Sequence, residues 1–172
     1  MRRDIHCVRR ETSRLEIGKE GQHEIKTLAH LSGPVDFNNN FFAAEYAKII
    51  GTDGEQNGSV YKITIGRNDI TLKEMGATIN ARMGLNTWAA FYGSDSEAIV
   101  AGDVAMLESE VTPVLKALRS NGIDVVAIHH HMTGTQPTIL FLHYWGKGEA
   151  QKLARGVKAA VDVLGKRSSP TR

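Results

Sequence analysis

Several short segments in the middle of the chain alternate between hydrophobic and polar residues, a pattern that is typical of half-buried β-strands. The segment VYKITIGR, at positions 60–67, shows it most regularly. Similar segments bounded by Gly, Asn or Ser predict further strands at 77–82, 87–92 and 98–107. Two more strands are predicted at 123–132 and 138–145, joined by the tight segment TGTQP as an antiparallel hairpin.

Three other segments repeat hydrophobic residues at helical spacing. The segments FFAAEYAKII and EAQKLARGVKAAVDVLG both end at a glycine, which is a common helix terminator. The segment after Ser109 has an apolar stripe that includes Val114 and Leu118. From residue 60 onward the elements follow the order β-β-β-β-α-β-β-α. This order predicts an α+β fold, with a mainly antiparallel sheet and two helices packed on one face.

The ends of the chain lack such periodicity. Residues 1–40 mix charges with glycines and end in three asparagines, so we expect an irregular or mobile lead-in. Residues 41–165 form a single predicted domain, which suits a chain of 172 residues. Residues 166–172 follow as a basic tail.

The composition is that of an ordinary soluble domain, with 41% hydrophobic and 23% charged residues. The formal net charge is only +2 and the basic residues are dispersed, so no nucleic-acid partner is expected. The single cysteine, Cys7, excludes an intramolecular disulfide and a zinc knuckle built from thiolates. No apolar run has the length of a membrane span or the form of a secretory signal, which predicts a cytoplasmic protein without a membrane partner.

The predicted hairpin carries a cluster of histidines. Alternate residues of a strand share a face, so His129 and His131 point the same way. We expect Thr133 to pair with Ile139 across the hairpin. That register places His129 opposite His143, with His131 as the diagonal neighbour. A register shifted by two residues keeps the three imidazoles on one face, whereas a shift by one separates them.

Three convergent imidazoles are a suitable ligand set for a divalent metal ion, with zinc as the default. An open position on the metal predicts a small metalloenzyme that acts on a small molecule. The carboxylates expected to move protons are Asp103, Glu108 and Glu110. The histidines could instead serve a non-catalytic metal- or ligand-binding module, in a monomer or a homodimer, or they could simply pack in the sheet. His130 is assigned to the opposite face and to packing.

Beyond these patterns, the segments GDVAMLESEVTPVLKALRSNGIDVVAIHHHM and FLHYWGKGEAQKLARGVKAAVD resemble the LppY/LpqO-like family, a bacterial domain of unknown function whose members include lipoproteins. The likeness covers about residues 43–165. The family's paired histidines correspond to His129 and His131, and its histidine before an aromatic pair corresponds to His143. The resemblance implies no established reaction.

The chain departs from that family's pattern beside the histidines. Where the pattern has an Asn between the paired histidines and a Glu before a Pro-Arg pair, this chain has His130, Thr135 and Thr138. Paired histidines followed by Glu also resemble the ligand set of cupins, and Thr135 cannot replace a carboxylate as ligand or base. The departure therefore bears on catalysis more than on metal binding. Two helices interrupt the strands where a cupin barrel would continue, so no cupin fold is expected.

Aromatic residues near the histidines allow two interpretations. They could line a pocket beside the site, although core packing is the expected role for most of them. The residues concerned are Trp88, Phe91, Tyr92, Tyr144 and Trp145.

Overall fold

The computed structural model describes residues 40–166, so nearly all of the predicted lead-in and basic tail lies outside the described residues. The helices are α1 (Asn40–Ile50), α2 (Val111–Ser120) and α3 (Ala150–Val161). The strands are β1 (Gly54–Asn57), β2 (Val60–Gly66), β3 (Leu72–Glu74), β4 (Ala77–Ile79), β5 (Asn86–Gly93), β6 (Ala98–Leu107), β7 (Asp124–His129) and β8 (Ile139–Gly148). Short 3-10 turns cover Ala81–Met83 and Glu108–Glu110.

Six strands form one antiparallel sheet in the order β1-β2-β5-β6-β8-β7, and β3 and β4 form a separate antiparallel hairpin. The interior strands β6 and β8 pair along their whole length, from Ala98 opposite Gly148 to Leu107 opposite Ile139. The predicted α+β fold with a mainly antiparallel sheet is confirmed. This pairing places the histidine of β8 beside the centre of β6.

The three described helices pack on one side of the sheet, which we call the helix face. Helix α3 contacts both α1 and α2. The apolar stripes predicted for α2 and α3 are the buried ones. These stripes pack against alternate residues of the strands and form the larger of the two hydrophobic clusters. Its burial removes apolar surface from water. Residues of this core include Tyr46, Ile50, Ile63, Phe91, Val100, Val114, Leu118, Leu142 and Val157. None of the described helices is long and apolar enough to cross a membrane.

The opposite side of the sheet, which carries Asp103 and His143, is called the open face. One end of it is covered by β3 and by the turn before β5, because Leu72 and Leu85 pack on Phe141 in a second, smaller hydrophobic cluster. Beyond this cluster the open face reaches solvent, and Trp145 is 47% exposed. The fold therefore offers a rigid surface with a covered end and an accessible end.

Because Gly102 in β6 has no side chain, the ring of Tyr144 can lie close against the backbone of the sheet. Any Cβ at Gly102 would meet the ring of Tyr144 and the carbonyl oxygen of Trp88. The Tyr144 hydroxyl donates a hydrogen bond to that carbonyl oxygen over 3.0 Å. Complete burial raises the pKa of Tyr144, so its hydroxyl stays protonated as a donor. This contact holds β5 in place next to the histidine-bearing strands.

Some predicted boundaries are wrong. The strand expected over 77–82 stops at Ile79, because the Asn80 side chain accepts hydrogen bonds from the next backbone N–H groups and starts a 3-10 turn. The strand expected over 123–132 stops at His129, and the connection covers residues 130–138 instead of TGTQP alone. Burial of Thr135 and of part of Met132 draws this segment away from the strand ladder.

The ion pair between Arg67 and Asp69 belongs to a largely buried network. Arg67 is only 4% exposed and donates to both Asp69 and Glu110 through paired hydrogen bonds of 2.8 to 2.9 Å. Glu110 also accepts hydrogen bonds from the backbone N–H groups of Leu107 and Gly165. The network joins the end of β2 to the start of α2 and to the segment after α3.

Candidate metal centre

The strands β7 and β8 bring His129 and His143 onto the open face. His129 pairs with Phe141, and Ala127 pairs with His143. The expected pairing of Thr133 with Ile139 is wrong, and the observed register is shifted from it by two residues. A shift of two preserves the face of every side chain, so the histidines still converge.

A β-bulge at Val126 changes the face of the sheet to which alternate residues of β7 point. Val125 pairs with Tyr144, whereas Ala127 pairs with His143, so β7 contains one extra residue between these pairs. As a result Val125 packs against the helix-face core, and His129 lies on the open face. Regular alternation along a strand would place Val125 and His129 on one face, and the bulge places them on opposite faces.

His131 lies in the 130–138 loop and is held there by stacking. Its imidazole lies parallel to the ring of Phe141, with centroids 3.7 Å apart and an interplanar angle of 6°. A bridge between Lys73 and Gln136 connects the same loop to β3. Tertiary packing therefore orients His131, where the sequence predicted a continuous strand.

The three imidazoles form a compact group. The ring centroid of His129 lies 4.8 Å from that of His131 and 4.8 Å from that of His143. One nitrogen from each ring can be chosen so that all three nitrogens lie within 4.8 Å of one another. This geometry matches a ligand set for a single metal ion.

The Nε2 atoms of His129 and His143 face each other at 2.7 Å. On the other side of each ring, Nδ1 lies near an oxygen: the His130 carbonyl at 3.3 Å from His129, and Asp103 Oδ1 at 3.7 Å from His143. An oxygen at Nδ1 favours the tautomer that is protonated there. The two Nε2 atoms are at hydrogen-bonding distance, so in the protein alone one of them carries a proton and donates to the other, and a bound cation would replace that proton.

Asp103 is the predicted carboxylate that the fold brings to the histidines, because it is paired directly with His143 across β6 and β8. The side chain is 5% exposed, and its Oδ1 atom has no hydrogen-bond partner among the described residues. Burial raises the pKa of Asp103, and the charges of the nearby histidines partly oppose that shift. A buried acceptor without a partner is rare and points to a group absent from the protein chain itself.

The other two predicted carboxylates lie elsewhere. Glu110 is buried in the network with Arg67, where both of its oxygens accept hydrogen bonds. Glu108 is exposed in the 3-10 turn before α2. The structure therefore brings Asp103, but neither glutamate, into contact with the histidine group.

Burial lowers the pKa of His131; Asp103 opposes this shift and the two neighbouring histidines reinforce it. The ring is thereby favoured in its neutral form, which is the form that binds metal. His130 is exposed, and its Nδ1 lies 3.2 Å from the carbonyl oxygen of Ile139. His130 is not part of the three-histidine group.

The aromatic residues divide between the two faces. Phe91 and Tyr144 belong to the helix-face core, as expected for most of the group. Trp88, Tyr92 and Trp145 lie on the open face with the histidines, since the register aligns Trp88 with Asp103 and alternation places the other two on that side. Sequence reasoning did not identify the contact of Phe141 with His131, although its spacing of two from His143 was a usable signal.

Comparison with known proteins gives one match. A family model described as Domain of Unknown Function (DUF1259) matches residues 44–163, which include every residue of the histidine group. No curated protein and no solved structure is significantly similar to the chain. The family's description states no ligand and no reaction.

Proposed function

Because the chain belongs to the family described as Domain of Unknown Function (DUF1259), we propose a function from the site alone: a divalent metal ion binds to His129, His131 and His143. Zinc is the default ion, since imidazole nitrogens suit it well. We further propose that the domain is LppY/LpqO-like and acts as a small metalloenzyme on a small molecule.

The convergence of three imidazoles, with one nitrogen from each ring within 4.8 Å of the others, carries the proposal. Within this group the Nε2 atoms of His129 and His143 face each other. Both rings have an oxygen near Nδ1, which leaves Nε2 as the ligand atom on each. In metal sites a histidine commonly has its second nitrogen oriented by a carboxylate or a carbonyl in this way.

The chemistry would divide between the ion and the chain. A zinc ion bound to the three histidines would supply Lewis-acid chemistry to a water molecule or a substrate group. Asp103 orients His143 and can accept a proton at its free oxygen. Phe141 holds His131 in place by stacking.

A non-catalytic binding module is the second candidate. It is favoured by Thr135, which stands where the resembled family has a Glu, and by Glu110, whose oxygens are both engaged by Arg67 and backbone groups. Asp103 is then the only carboxylate among the three predicted ones that contacts the group. In this form the site would hold a metal ion or small ligand without turnover, in a monomer or a homodimer.

The proposal is tested by measuring bound metal. Tag-free protein is incubated with zinc, nickel, copper or iron(II), freed of loose ions by gel filtration and analysed by inductively coupled plasma mass spectrometry. We expect about one ion per chain in the wild type, and loss of that ion in His129→Ala and His143→Ala. The matched control is His130→Ala, because His130 is an adjacent histidine outside the group.

Two outcomes would contradict the proposal. Wild-type protein without metal after loading would return the histidines to a structural role, and retention of metal by both ligand variants would place the ion elsewhere. Turnover separates the two candidates: an activity lost on chelation and restored by metal supports the enzyme, whereas metal binding without activity favours the binding module.

A further inference from the structure

Both tryptophans of the chain lie on the open face beside the histidine group, and neither belongs to the hydrophobic clusters. Trp88 in β5 is aligned with Asp103 in β6, which is aligned with His143 in β8. Trp145 lies two residues after His143 on the same side of the strand. Trp145 is 47% exposed and Trp88 is half-buried. Large aromatic residues normally favour full burial, so the placement of both outside the hydrophobic clusters needs a reason.

Small residues form a floor between these tryptophans. Ala90 is aligned with Ala101, and Ala101 is aligned with Trp145. This row runs next to the row that contains Trp88 and Asp103. The alanine methyl groups leave the sheet surface low, so a flat molecule can approach it closely between two raised aromatic side chains.

The open side of the Trp88 ring is already in contact with a lysine side chain, which a ligand ring would displace. The ammonium group of Lys62 lies over the Trp88 ring, 4.5 Å from the ring centroid. Two strand spacings of about 4.8 Å separate Trp88 from His143, which gives a span of about 10 Å. A single aromatic ring that carries metal-binding oxygen atoms has a suitable length to reach the histidines while resting on the alanine floor.

We propose that Trp88, Trp145, Ala90 and Ala101 form a platform that binds the aromatic ring of a small ligand whose oxygen atoms coordinate the metal. This inference rests on the proposed metal site and specifies the class of small molecule that the site takes. Stacking on tryptophan provides most of the selectivity for the ring, and the metal anchors the oxygen end.

The test compares two probes that carry the same metal-binding group, benzohydroxamate with a ring and acetohydroxamate without one. Their dissociation constants are measured by calorimetry on zinc-loaded protein. We expect the wild type to bind benzohydroxamate at least about tenfold more tightly, as one stacked ring commonly contributes. Trp88→Leu and Trp145→Leu should each reduce this preference to a few-fold without changing acetohydroxamate binding.

Two further variants examine the geometry. Trp145→Phe keeps an aromatic ring and should keep most of the preference, whereas Ala101→Leu raises the floor and should remove it. Equal affinity of the wild type for both probes, or an unchanged preference in both leucine variants, would overturn the platform. A preference that falls only because Trp145→Leu dissociates a homodimer would also overturn the platform. Light scattering on the same samples would detect that dissociation.

Zinc content of each sample distinguishes this inference from the proposed function. Tryptophan variants that retain zinc and acetohydroxamate but lose the ring preference support the platform. Wild-type protein that binds neither zinc nor acetohydroxamate contradicts the metal site itself. A ring preference that persists without zinc would overturn the metal-linked form of the inference, because the ligand would then be held by the aromatic residues alone.

Discussion

Asp103 and His143 occupy directly opposed positions on two interior strands, with Oδ1 of the aspartate 3.7 Å from Nδ1 of the histidine. This distance is too long for a good hydrogen bond, yet the aspartate oxygen has no other partner among the described residues. The pair therefore has an unused interaction that a metal-bound, Nδ1-protonated His143 would complete.

Replacing Asp103 should weaken metal binding more than it affects folding. In Asp103→Asn we expect the metal dissociation constant to rise about 10- to 100-fold, as commonly follows loss of a partner that orients a ligand. The free energy of unfolding of the metal-free protein should stay within about 1 kcal/mol of wild type, because the substitution removes a buried charge that interacts only weakly with His143, 3.7 Å away. Zinc competition titration and urea unfolding measure the two quantities, and an unchanged zinc affinity would contradict the orienting role.

The stack of Phe141 on His131 should contribute to metal affinity. In Phe141→Leu the imidazole loses a contact worth about 0.5–1.5 kcal/mol, so the metal dissociation constant should rise about two- to tenfold. Phe91→Leu is the matched control, because Phe91 is an equally buried phenylalanine on the helix face. Similar losses of zinc affinity in both variants would indicate general destabilisation, and not a specific effect of the stack.

Glu110 should be a structural residue, in spite of its sequence position near the site. Glu110→Ala leaves the buried Arg67 guanidinium with Asp69 and the Ala105 carbonyl oxygen, and we expect a loss of about 3–5 kcal/mol in the free energy of unfolding. Glu108→Ala removes an exposed carboxylate two residues away and should change stability by less than about 0.5 kcal/mol. Chemical denaturation measures both; equal stabilities would show that the network is unimportant.

The ion pair of Asp69 predicts a pH effect in acid. Hydrogen bonding from Arg67 lowers the pKa of Asp69, so the folded state favours the charged carboxylate. Its contribution is present above the ordinary aspartate pKa of about 3.9 and is lost as the pH falls through the lower folded pKa. Because the side chain is 44% exposed, we expect less than about 1 kcal/mol.

Urea unfolding of wild type and Asp69→Asn between pH 7 and pH 2 measures this term. The stability difference between the two proteins should be constant near neutral pH and should shrink toward zero at the acid end. A difference that grows as the pH falls would contradict the sign of the shift.

The regular periodicities could be predicted from the sequence because burial alone determines them. The alternation in VYKITIGR and the apolar stripes of α2 and α3 each place one face against the core, and the structure buries those faces. The spacing of His129, His131 and His143 also indicated a shared face, since a register error of two residues leaves side-chain direction unchanged.

The irregular features depended on contacts between residues distant in the chain. A bulge at Val126, the stack of His131 on Phe141 and the burial of Glu110 against Arg67 have no local signal, because each is stabilised by a partner on another element. The sequence by itself determined the helices, five of the six strands of the main sheet and the shared face of His129 and His143. Only the tertiary structure decided which carboxylate joins them, because strand pairing aligned Asp103 with His143 while a buried arginine bound Glu110.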